Sequence, residues 1–308
     1  MTPLIDTFAN TAFEAAPGAL RLSVLIPFHN DDARGLIDAL HAGAPAGVEI
    51  VLFDDGAPDP ELNTAVRDAV ADAPIPTRLL TAKTNLGRAA ARNRLAARAR
   101  GDWLLFLDAD MTVAPNFLGR WLDFVGAAQG DALFGGYEPA ARPPRAHRLH
   151  AALARASDVA TAAERSNQGA FAVCSSNLAV RAHAFAKVGF DEGYAGWGWE
   201  DVDWALSFAQ RFRIDHVDHP AGHGGLETPE RLIAKFSRSG ANFARLMARH
   251  PEYAARKGAW LALGLKQRGL AAPARLAGRL AARAPLPMRL RVLGLKLYRA
   301  AVSAEALP

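Results

Sequence analysis

The sequence predicts an α/β fold, a mostly parallel sheet flanked by helices, and two observations on the 308-residue chain indicate it. Apolar runs of strand length alternate with segments of helical length, and polar residues follow where the apolar runs end. This alternation is typical of βαβ units with right-handed crossovers. The predicted strands are 22–27, 48–53, 77–80 and 103–107, and the predicted helices are 33–41, 60–71, 89–100 and 115–125.

Length and composition indicate a folded protein with a large core, since half of the residues are hydrophobic. A stretch rich in Pro and Arg at 139–148 ends the regular alternation, and a mixed second half follows. A helix is predicted over 235–251. We expect a catalytic domain over residues 1–252 and a basic helical extension over 253–308.

Cysteine usage and the N-terminal segment indicate the cellular compartment of the protein. The single cysteine, Cys174, excludes an intramolecular disulfide and fits a reducing environment. The chain shows no signal-peptide pattern and no apolar run of about eighteen residues, and Asp6 and Glu14 interrupt its start. We therefore expect a cytoplasmic protein, with peripheral attachment to the inner face of the membrane as an open alternative.

The positive charge is concentrated in the tail. From residue 253 onward there are eleven Lys or Arg residues and one acid, Glu305, a net of +10, so the rest of the chain carries about −5. Leucines interleave with these basic residues at helical spacing. The pattern fits core-packing helices with a solvated basic face, and helices lying on an anionic membrane are the alternative. Nucleic acid is not expected as a partner, because the basic residues lack interleaved aromatics and any groove-reading motif.

An acidic cluster, LFLDADM, follows the last predicted strand of the first half. This strand delivers Asp108 and Asp110 to its carboxyl end, where open α/β sheets bind ligands. Two carboxylates separated by one residue project to the same side of an extended chain. They suit Mg²⁺ or Mn²⁺, and a metal with few protein ligands keeps coordination sites for a diphosphate.

Other polar residues gather at the same predicted edge. The first strand ends in IPFHN, which contains Pro27, and the second ends in FDDG, which contains Asp54 and Asp55. These carboxylates are positioned to accept hydrogen bonds from a base or a ribose. A turn or helix N-cap aspartate is the alternative for each of them.

The segment NLGRAAARN begins a predicted helix after a glycine. Arg88 and Arg92 are four residues apart and share one helix face. Arginines at a helix start are suited to a diphosphate. The alternatives are a solvent-facing Arg88 and a structural Arg92.

A second acidic cluster, GWGWEDVDW, lies about ninety residues after the first. Glu200 and Asp201 are candidates for a general base beside aromatic side chains, among them Trp197. They are also suited to the first turn of a helix, where the helix dipole favours acids. The two interpretations are compatible.

Five motifs in order, SVLIPFHN, VLFDDG, NLGRAAARN, LLFLDADM and GWGWEDVDW, resemble the family 2 inverting glycosyltransferases of the GT-A fold. The second half resembles the galactosyltransferase-like C-terminal region of chondroitin polymerase and β-1,4-galactosyltransferases. The resemblance covers residues 22–250. It implies a nucleotide-diphosphate sugar donor, a divalent metal and inversion at the anomeric carbon.

The resemblance also implies roles for residues at the donor. Asp55 matches the aspartate that contacts uracil, and Pro27 lies in the strand end that forms its pocket. Asp108 matches the carboxylate near the ribose. Asp110 matches the metal ligand.

Further roles follow from the second cluster. Asp201 matches the general base, Glu200 the acceptor-binding residue, and Trp197 the aromatic that borders the sugar sites. A histidine metal ligand often follows the Glu-Asp pair, and His223 in AGHGG has that spacing. His216 and His219 are competing candidates.

The expected activity is transfer of a hexose or N-acetylhexosamine from a UDP-sugar to a glycan or lipid-linked acceptor. UDP follows from the resemblance alone, and GDP or dTDP donors stay open. Two alternatives belong to other classes: a sugar nucleotidyltransferase, and a relative that binds nucleotide sugars without catalysis. IPFHNDD lacks the glycine-rich loop expected of the first, and intact Asp108, Asp110, Glu200 and Asp201 argue against the second.

Overall fold

The computed structural model describes residues 5–16 and 18–308 and contains a large mixed sheet flanked by helices. The predicted α/β class is confirmed. The eight-stranded sheet has the order β1-β4-β3-β2-β5-β9-β7-β10, and a small sheet has the order β6-β11-β8. The strands are β1 (Ile5–Ala9), β2 (Leu20–Phe28), β3 (Val48–Asp54), β4 (Thr77–Ala82), β5 (Gly101–Leu107), β6 (Met111–Thr112), β7 (Ala132–Phe134), β8 (Tyr137–Glu138), β9 (Asn177–Arg181), β10 (Ile214–His216) and β11 (Ala221–His223).

Helices cover both faces of the large sheet. The helices of the chain are α1 (Thr11–Ala15), α2 (Arg34–His41), α3 (Pro60–Ala71), α4 (Arg88–Ala96), α5 (Phe117–Ala127), α6 (Arg148–Ser157), α7 (Ala162–Ser166), α8 (Ala182–Phe185), α9 (Glu200–Ala209), α10 (Pro229–Ser237), α11 (Gly240–Arg249), α12 (Lys257–Gln267), α13 (Ala271–Arg283) and α14 (Met288–Ala306). Side chains of α2, α3 and α5 pack on one face, and those of α4, α8 and the end of α9 on the other.

The core of the sheet explains why the apolar runs are continuous. Strands β2 to β5 are parallel to one another, so helices cover both of their faces. Val24 and Leu105 face one hydrophobic cluster, whereas Leu25 and Phe106 face the other. Because successive side chains alternate, both faces of each strand must be apolar.

The predicted elements are present, with shifted ends. Helix α4 ends at Ala96 rather than at residue 100, and the Arg100 N–H already donates to Glu49 Oε1 at 2.7 Å as the chain enters β5. Helix α5 begins at Phe117 rather than 115, because Asn116 has a left-handed φ of 57°. Strand β1 was not predicted; it pairs antiparallel with β4 at the sheet edge.

The chain forms two compact units. The first comprises residues up to Glu138, Ala160–Glu192 and Trp204–Gly225, and the second comprises Pro139–Val159, Gly193–Asp203 and Leu226–Pro308. The second unit therefore begins earlier in the chain than the expected extension over 253–308. The functional division at residue 252 stays a prediction. Residues 1–4 and 17 of the expected catalytic domain lie outside the described part of the chain.

The second unit consists of α6, the helices from α10 onward and the start of α9. The prediction of one helix over 235–251 was wrong. The helix breaks between α10 and α11, where the Ser239 hydroxyl donates to the Phe236 carbonyl at 2.9 Å and Gly240 packs closely on Ala306. In the described part of the chain, no helix is long and apolar enough to cross a bilayer.

Helices α13 and α14 pack through small residues. A Cβ atom at Gly278 would lie 2.6 Å from the carbonyl oxygen of Gly294 and 2.6 Å from the Tyr298 nitrogen. These are backbone atoms that cannot move without shifting a helix. The close approach of α13 and α14 therefore depends on the absence of a side chain at residue 278.

We expect Gly278→Ala to destabilise the protein by about 1–3 kcal/mol, because the new methyl group overlaps the backbone of α14. Gly258→Ala in α12 is the matched control, since no heavy atom lies within 4 Å of its added Cβ. Alanine there should be neutral or stabilising by up to about 1 kcal/mol. Urea unfolding monitored by circular dichroism measures both, and equal stability of the two variants would contradict the packing argument.

Candidate active site

The polar strand ends meet at one edge of the large sheet. From β2 the chain proceeds to β3 and β4 on one side, whereas β5 lies on the other side of β2. Such a reversal of strand order opens a crevice at the carboxyl ends of the strands. Pro27 near the end of β2, Asp55 after β3 and Asp108 after β5 all lie at this edge.

Asp55 is buried and holds the loop before α4. Its Oδ1 accepts a hydrogen bond from the Leu86 N–H at 2.6 Å, and its Oδ2 accepts one from the Gly87 N–H at 3.0 Å. Burial raises the pKa of Asp55, and these two hydrogen bonds oppose the rise. The turn-aspartate alternative thus describes what Asp55 does in the structure, and a contact to uracil stays a prediction.

Asp108 lies against the two arginines of α4. Arg92 donates to its Oδ1 at 2.7 Å, and the nearest Arg88 nitrogen is 3.5 Å from its Oδ2. Burial alone would raise the pKa of Asp108, but the charges of Arg92 and Arg88 outweigh it and hold this pKa well below its ordinary value. The Arg92 side chain is 1% exposed and also lies over Phe190. The structural alternative therefore fits Arg92, while Arg88 is more exposed.

Asp110 and His223 lie side by side. Strand β6 directly follows Asp110 and pairs with β11, so that His223 lies opposite Met111. His223 Nε2 is 3.6 Å from Asp110 Oδ2, and the Gly224 N–H donates to the Asp110 carbonyl at 2.8 Å. Tertiary pairing thus brings together two residues that are more than one hundred positions apart in the sequence.

The surroundings of Asp110 fit a divalent cation. Its Oδ1 is buried and has no hydrogen-bond partner among residues 5–16 and 18–308. Burial raises the pKa of Asp110, and the nearby His223 opposes that rise. The negative charges of Asp108 and Asp31 raise the pKa of Asp110 further. A bound cation would remove this electrostatic cost and use the unpartnered oxygen.

A metal at this position would depend on further ligands. Within the described ranges, no cluster of three or more His, Cys, Asp or Glu side chains is arranged to hold a metal. Asp110 and His223 therefore provide two ligands at most. Mg²⁺ and Mn²⁺ sites that bind diphosphates commonly take their remaining ligands from the phosphates and from water. The pair fits that arrangement and does not fit a structural metal enclosed by protein.

The competing histidines have partners elsewhere. His219 is buried, stacks on the Phe117 ring at 4.4 Å and has its Nε2 3.0 Å from the Phe117 carbonyl oxygen. His216 Nε2 lies 3.2 Å from the carbonyl oxygen of Gly169. Burial lowers the pKa of both rings. Of the three histidines, His223 is the one that the structure pairs with Asp110.

Two features of this edge were not predicted from the sequence. A Cβ at Gly225 would lie 1.8 Å from Asp110 Oδ2, so any larger residue would displace this carboxylate. The paired glycines after His223 were a signal for such a close approach. Tyr137 has its ring centroid 6.4 Å from that of His223 and its hydroxyl 2.7 Å from Ser176 Oγ.

The second acidic cluster belongs to the second compact unit up to Asp203. Glu200, which is buried, and Asp201 occupy the first turn of α9, as the helix-start interpretation predicts. The preceding loop has left-handed backbone at Gly196, Gly198 and Trp199, the last with φ 78°. Asn242 on α11 donates to the carbonyls of Ala195 and Gly198 and fixes this loop.

Aromatic and polar side chains of the second unit hold the start of α9. Trp197 packs against Phe236 with ring centroids 5.4 Å apart, and Arg299 of α14 lies over Trp199 at 4.4 Å. Asp203 was not singled out by the sequence. It is buried, and its Oδ1 accepts hydrogen bonds from Tyr194 at 3.0 Å and Arg249 at 2.6 Å and lies 3.1 Å from His250 Nε2.

Comparison with known proteins identifies the family. Residues 23–186 match the model of the family described as Glycosyl transferase family 2. The chain belongs to glycosyl transferase family 2. The matched segment contains Asp55, Asp108 and Asp110 and ends before Glu200 and Asp201. The family thus accounts for the sheet-edge motifs of this glycosyltransferase, while the galactosyltransferase-like resemblance of its second half is a prediction.

Curated relatives are similar over part of their length. The validoxylamine A glucosyltransferase of Streptomyces hygroscopicus subsp. limoneus is 30% identical over 232 residues, which cover 63% of this chain and 50% of the relative. An uncharacterized glycosyltransferase of Haemophilus influenzae is 30% identical over 107 residues, 34% of this chain and 42% of the relative. This family 2 member thus spans at most half the length of these two relatives.

Solved structures share the GT-A fold with this glycosyltransferase. One is the mannosyltransferase PcManGT from Pyrobaculum calidifontis in complex with GDP-Man and Mn²⁺. Its TM-score is 0.58 at 17% identity, and the match covers 92% of this chain and 87% of the PcManGT chain. S. aureus TarS 1-349 in complex with UDP-GlcNAc has a TM-score of 0.52 at 15% identity. The match covers 93% of this chain and 91% of the TarS chain. At this identity the likeness shows the fold alone.

We expect Asp55→Asn to destabilise the protein by about 1–3 kcal/mol, because an amide accepts only one of the two backbone hydrogen bonds and sets its own donors against the other. Asp59→Asn is the matched control. Asp59 is the exposed N-cap of α3, and asparagine caps a helix as well as aspartate. Thermal unfolding of both variants gives the answer, and an unchanged stability of Asp55→Asn would show that the loop does not need this carboxylate.

Proposed function

We propose that this family 2 glycosyltransferase is a metal-dependent inverting enzyme. It moves a hexose or N-acetylhexosamine from a UDP-sugar to a glycan or lipid-linked acceptor. The observation that carries the proposal is Asp110, which has a buried, unpartnered carboxylate oxygen and lies beside His223 at the carboxyl edge of the sheet. A carboxylate in such a position is suited to a cation that accompanies a diphosphate.

The donor is proposed to bind along the same edge. Pro27 and Asp55 would flank the base, and Asp108 would lie near the ribose. Arg88, which is partly exposed beside Asp108, would meet the diphosphate, and the buried Arg92 would fix Asp108 from behind. The GDP-Man and UDP-GlcNAc bound by the two GT-A neighbours support a nucleotide sugar, and UDP is the base favoured by the resemblance.

Asp110 and His223 are the residues that would hold Mn²⁺ or Mg²⁺. When bound, the metal would neutralise the charge that grows on the departing diphosphate. His223 would supply a ring nitrogen and Asp110 a carboxylate oxygen. Gly225 lets the backbone pass directly beside the Asp110 carboxylate, since an added Cβ would overlap Asp110 Oδ2.

Asp201 is the proposed general base. Its carboxylate would take the proton of the acceptor hydroxyl, the hydroxyl oxygen would bond to the anomeric carbon, and the bond from that carbon to the diphosphate oxygen would break. Attack from the face opposite the leaving group inverts the configuration. Glu200 is proposed to bind the acceptor, and Trp197 to border the sugar.

Two alternatives make different products. A nucleotidyltransferase would release pyrophosphate from UTP and a sugar phosphate, and membership of the glycosyltransferase family argues against it. A silent relative would bind a nucleotide sugar without turnover.

A cytoplasmic location, with peripheral membrane contact near a lipid-linked acceptor, belongs to the same proposal.

We expect release of UDP from one sugar donor in the presence of Mn²⁺, and its loss in Asp110→Ala, when a panel of UDP-, GDP- and dTDP-sugars is tested. Chelation of the metal should abolish turnover of the parent protein, and returning Mn²⁺ should restore it. Asp68→Ala on the exposed face of α3 is the matched control and should retain full turnover.

Calorimetry separates the outcomes when no donor turns over. Donor binding that depends on Asp110 and Mn²⁺ supports the site and directs the search to acceptors. No binding of any of these sugars, or equal turnover by Asp110→Ala and the parent protein, would reject the proposed site.

We expect Asp201→Asn to lower turnover about 10²–10⁴-fold, because the amide cannot accept the acceptor proton. Affinity for the donor and stability should stay unchanged. Asp68→Asn is the control for the same chemical change at an exposed position. Turnover of Asp201→Asn at the parental rate would falsify the assignment of the base.

A further inference from the structure

The C-terminal helices carry the exposed apolar surface of this protein. In the part of the chain that the structure describes, every exposed large hydrophobic side chain lies within residues 260–293. Trp260 is 68% exposed, and Leu276, Leu280 and Leu293 are each 60% exposed. Single exposed leucines are ordinary on protein surfaces, but their concentration in one segment is typical of an interaction surface.

In helix α13 the buried residues are small and the large apolar residues are exposed. Gly278 and Ala282 are buried in the contact with α14, whereas Leu276 and Leu280 are exposed. Leu276 and Leu280 are one turn apart, and each precedes a buried small residue by two positions, about 200° around the helix. The helix therefore uses its small residues for packing and presents its leucines outward, which folding alone does not require.

Basic residues accompany these leucines. Arg279 follows Leu276 by three residues, and Lys296 follows Leu293 by three, so each pair shares a helix face. Both basic side chains are exposed. The single acid of the tail, Glu305, is already paired with Arg275 at 2.7 Å.

Four basic side chains of these helices are not neutralised by a carboxylate of the described residues. Lys257, Arg279, Arg289 and Lys296 are all exposed, and none has a carboxylate partner within the described ranges. The segment from residue 253 carries a net charge of +10. A second copy of this chain that docked through the same surface would present the same positive charge and be repelled.

We propose that this surface, defined by Trp260, Leu276, Leu280, Leu293 and the basic residues beside them, binds an anionic lipid bilayer. The leucines and Trp260 would enter the interfacial region, and the basic side chains would meet lipid phosphates. Binding of the bilayer does not depend on the proposed chemistry. Only its purpose, access to a lipid-linked acceptor, rests on the proposed function.

The test is co-sedimentation of the full chain with vesicles. Binding is expected to phosphatidylcholine vesicles that contain phosphatidylglycerol, to be much weaker with phosphatidylcholine alone, and to fall as salt is raised. The triple variant Arg279→Gln, Arg289→Gln, Lys296→Gln should bind about a hundredfold more weakly, at about fivefold per basic residue near an anionic surface. Leu276→Ser with Leu280→Ser tests the apolar half and should also weaken binding.

A matched control removes the same charge elsewhere. Arg98, Lys187 and Arg211 are exposed and lie in the first compact unit, so their triple Gln variant should bind vesicles like the parent protein. All variants change exposed side chains and should unfold at the parental temperature. Equal weakening by both triple variants, or equal binding to neutral and anionic vesicles, would overturn the proposed surface.

Two further measurements separate the remaining outcomes. A dimer in light scattering that is lost in the leucine variant would assign the surface to a second copy and overturn the lipid proposal. UDP release with a soluble acceptor reports the chemistry independently. Vesicle binding by a protein that neither binds nor turns over any nucleotide sugar would count against the proposed function alone, whereas turnover without vesicle binding would count against the lipid surface alone.

Discussion

The pairing of β6 with β11 is the constraint on which the candidate donor site depends. Strand β6 begins directly after Asp110, and β11 ends at His223, so one short ladder fixes both side chains. The hydrogen bond from Gly224 to the Asp110 carbonyl extends that ladder, and Gly225 leaves room for the carboxylate. The backbone at neither proposed metal ligand can shift without breaking hydrogen bonds of this ladder, which is how a rigid scaffold holds a site.

Four carboxylates lie at the same sheet edge, and each has a different electrostatic environment. Asp54 accepts from the Ala57 N–H and from Asn63, Asp55 from backbone N–H groups, and Asp108 from the buried Arg92. Asp110 has one oxygen beside His223 and one without a partner among the described residues. Since buried charges require compensation, the least compensated carboxylate is where a cation has most to contribute.

The second compact unit connects its acidic motif to the C-terminal helices. Asn242 on α11 fixes the loop before Glu200, and Arg299 on α14 lies over Trp199. Asp203 is held by Tyr194, Arg249 and His250. The C-terminal helices therefore support the start of α9, while α13 and α14 still expose leucines. Internal packing accounts for the buried residues of these helices and not for their exposed leucines.

The sequence by itself determined the parallel strands, the sheet-edge carboxylates and the candidate histidines, because buried parallel strands require continuous apolar runs and their polar ends are visible beside them. It did not determine β6 and β11, which are too short to show a period, nor the break between α10 and α11. Only the tertiary structure decided that His223 pairs with Asp110, that Asp55 holds a loop, and that α13 exposes its leucines. Each of these depends on which distant backbone lies alongside, a relation that local propensity does not encode.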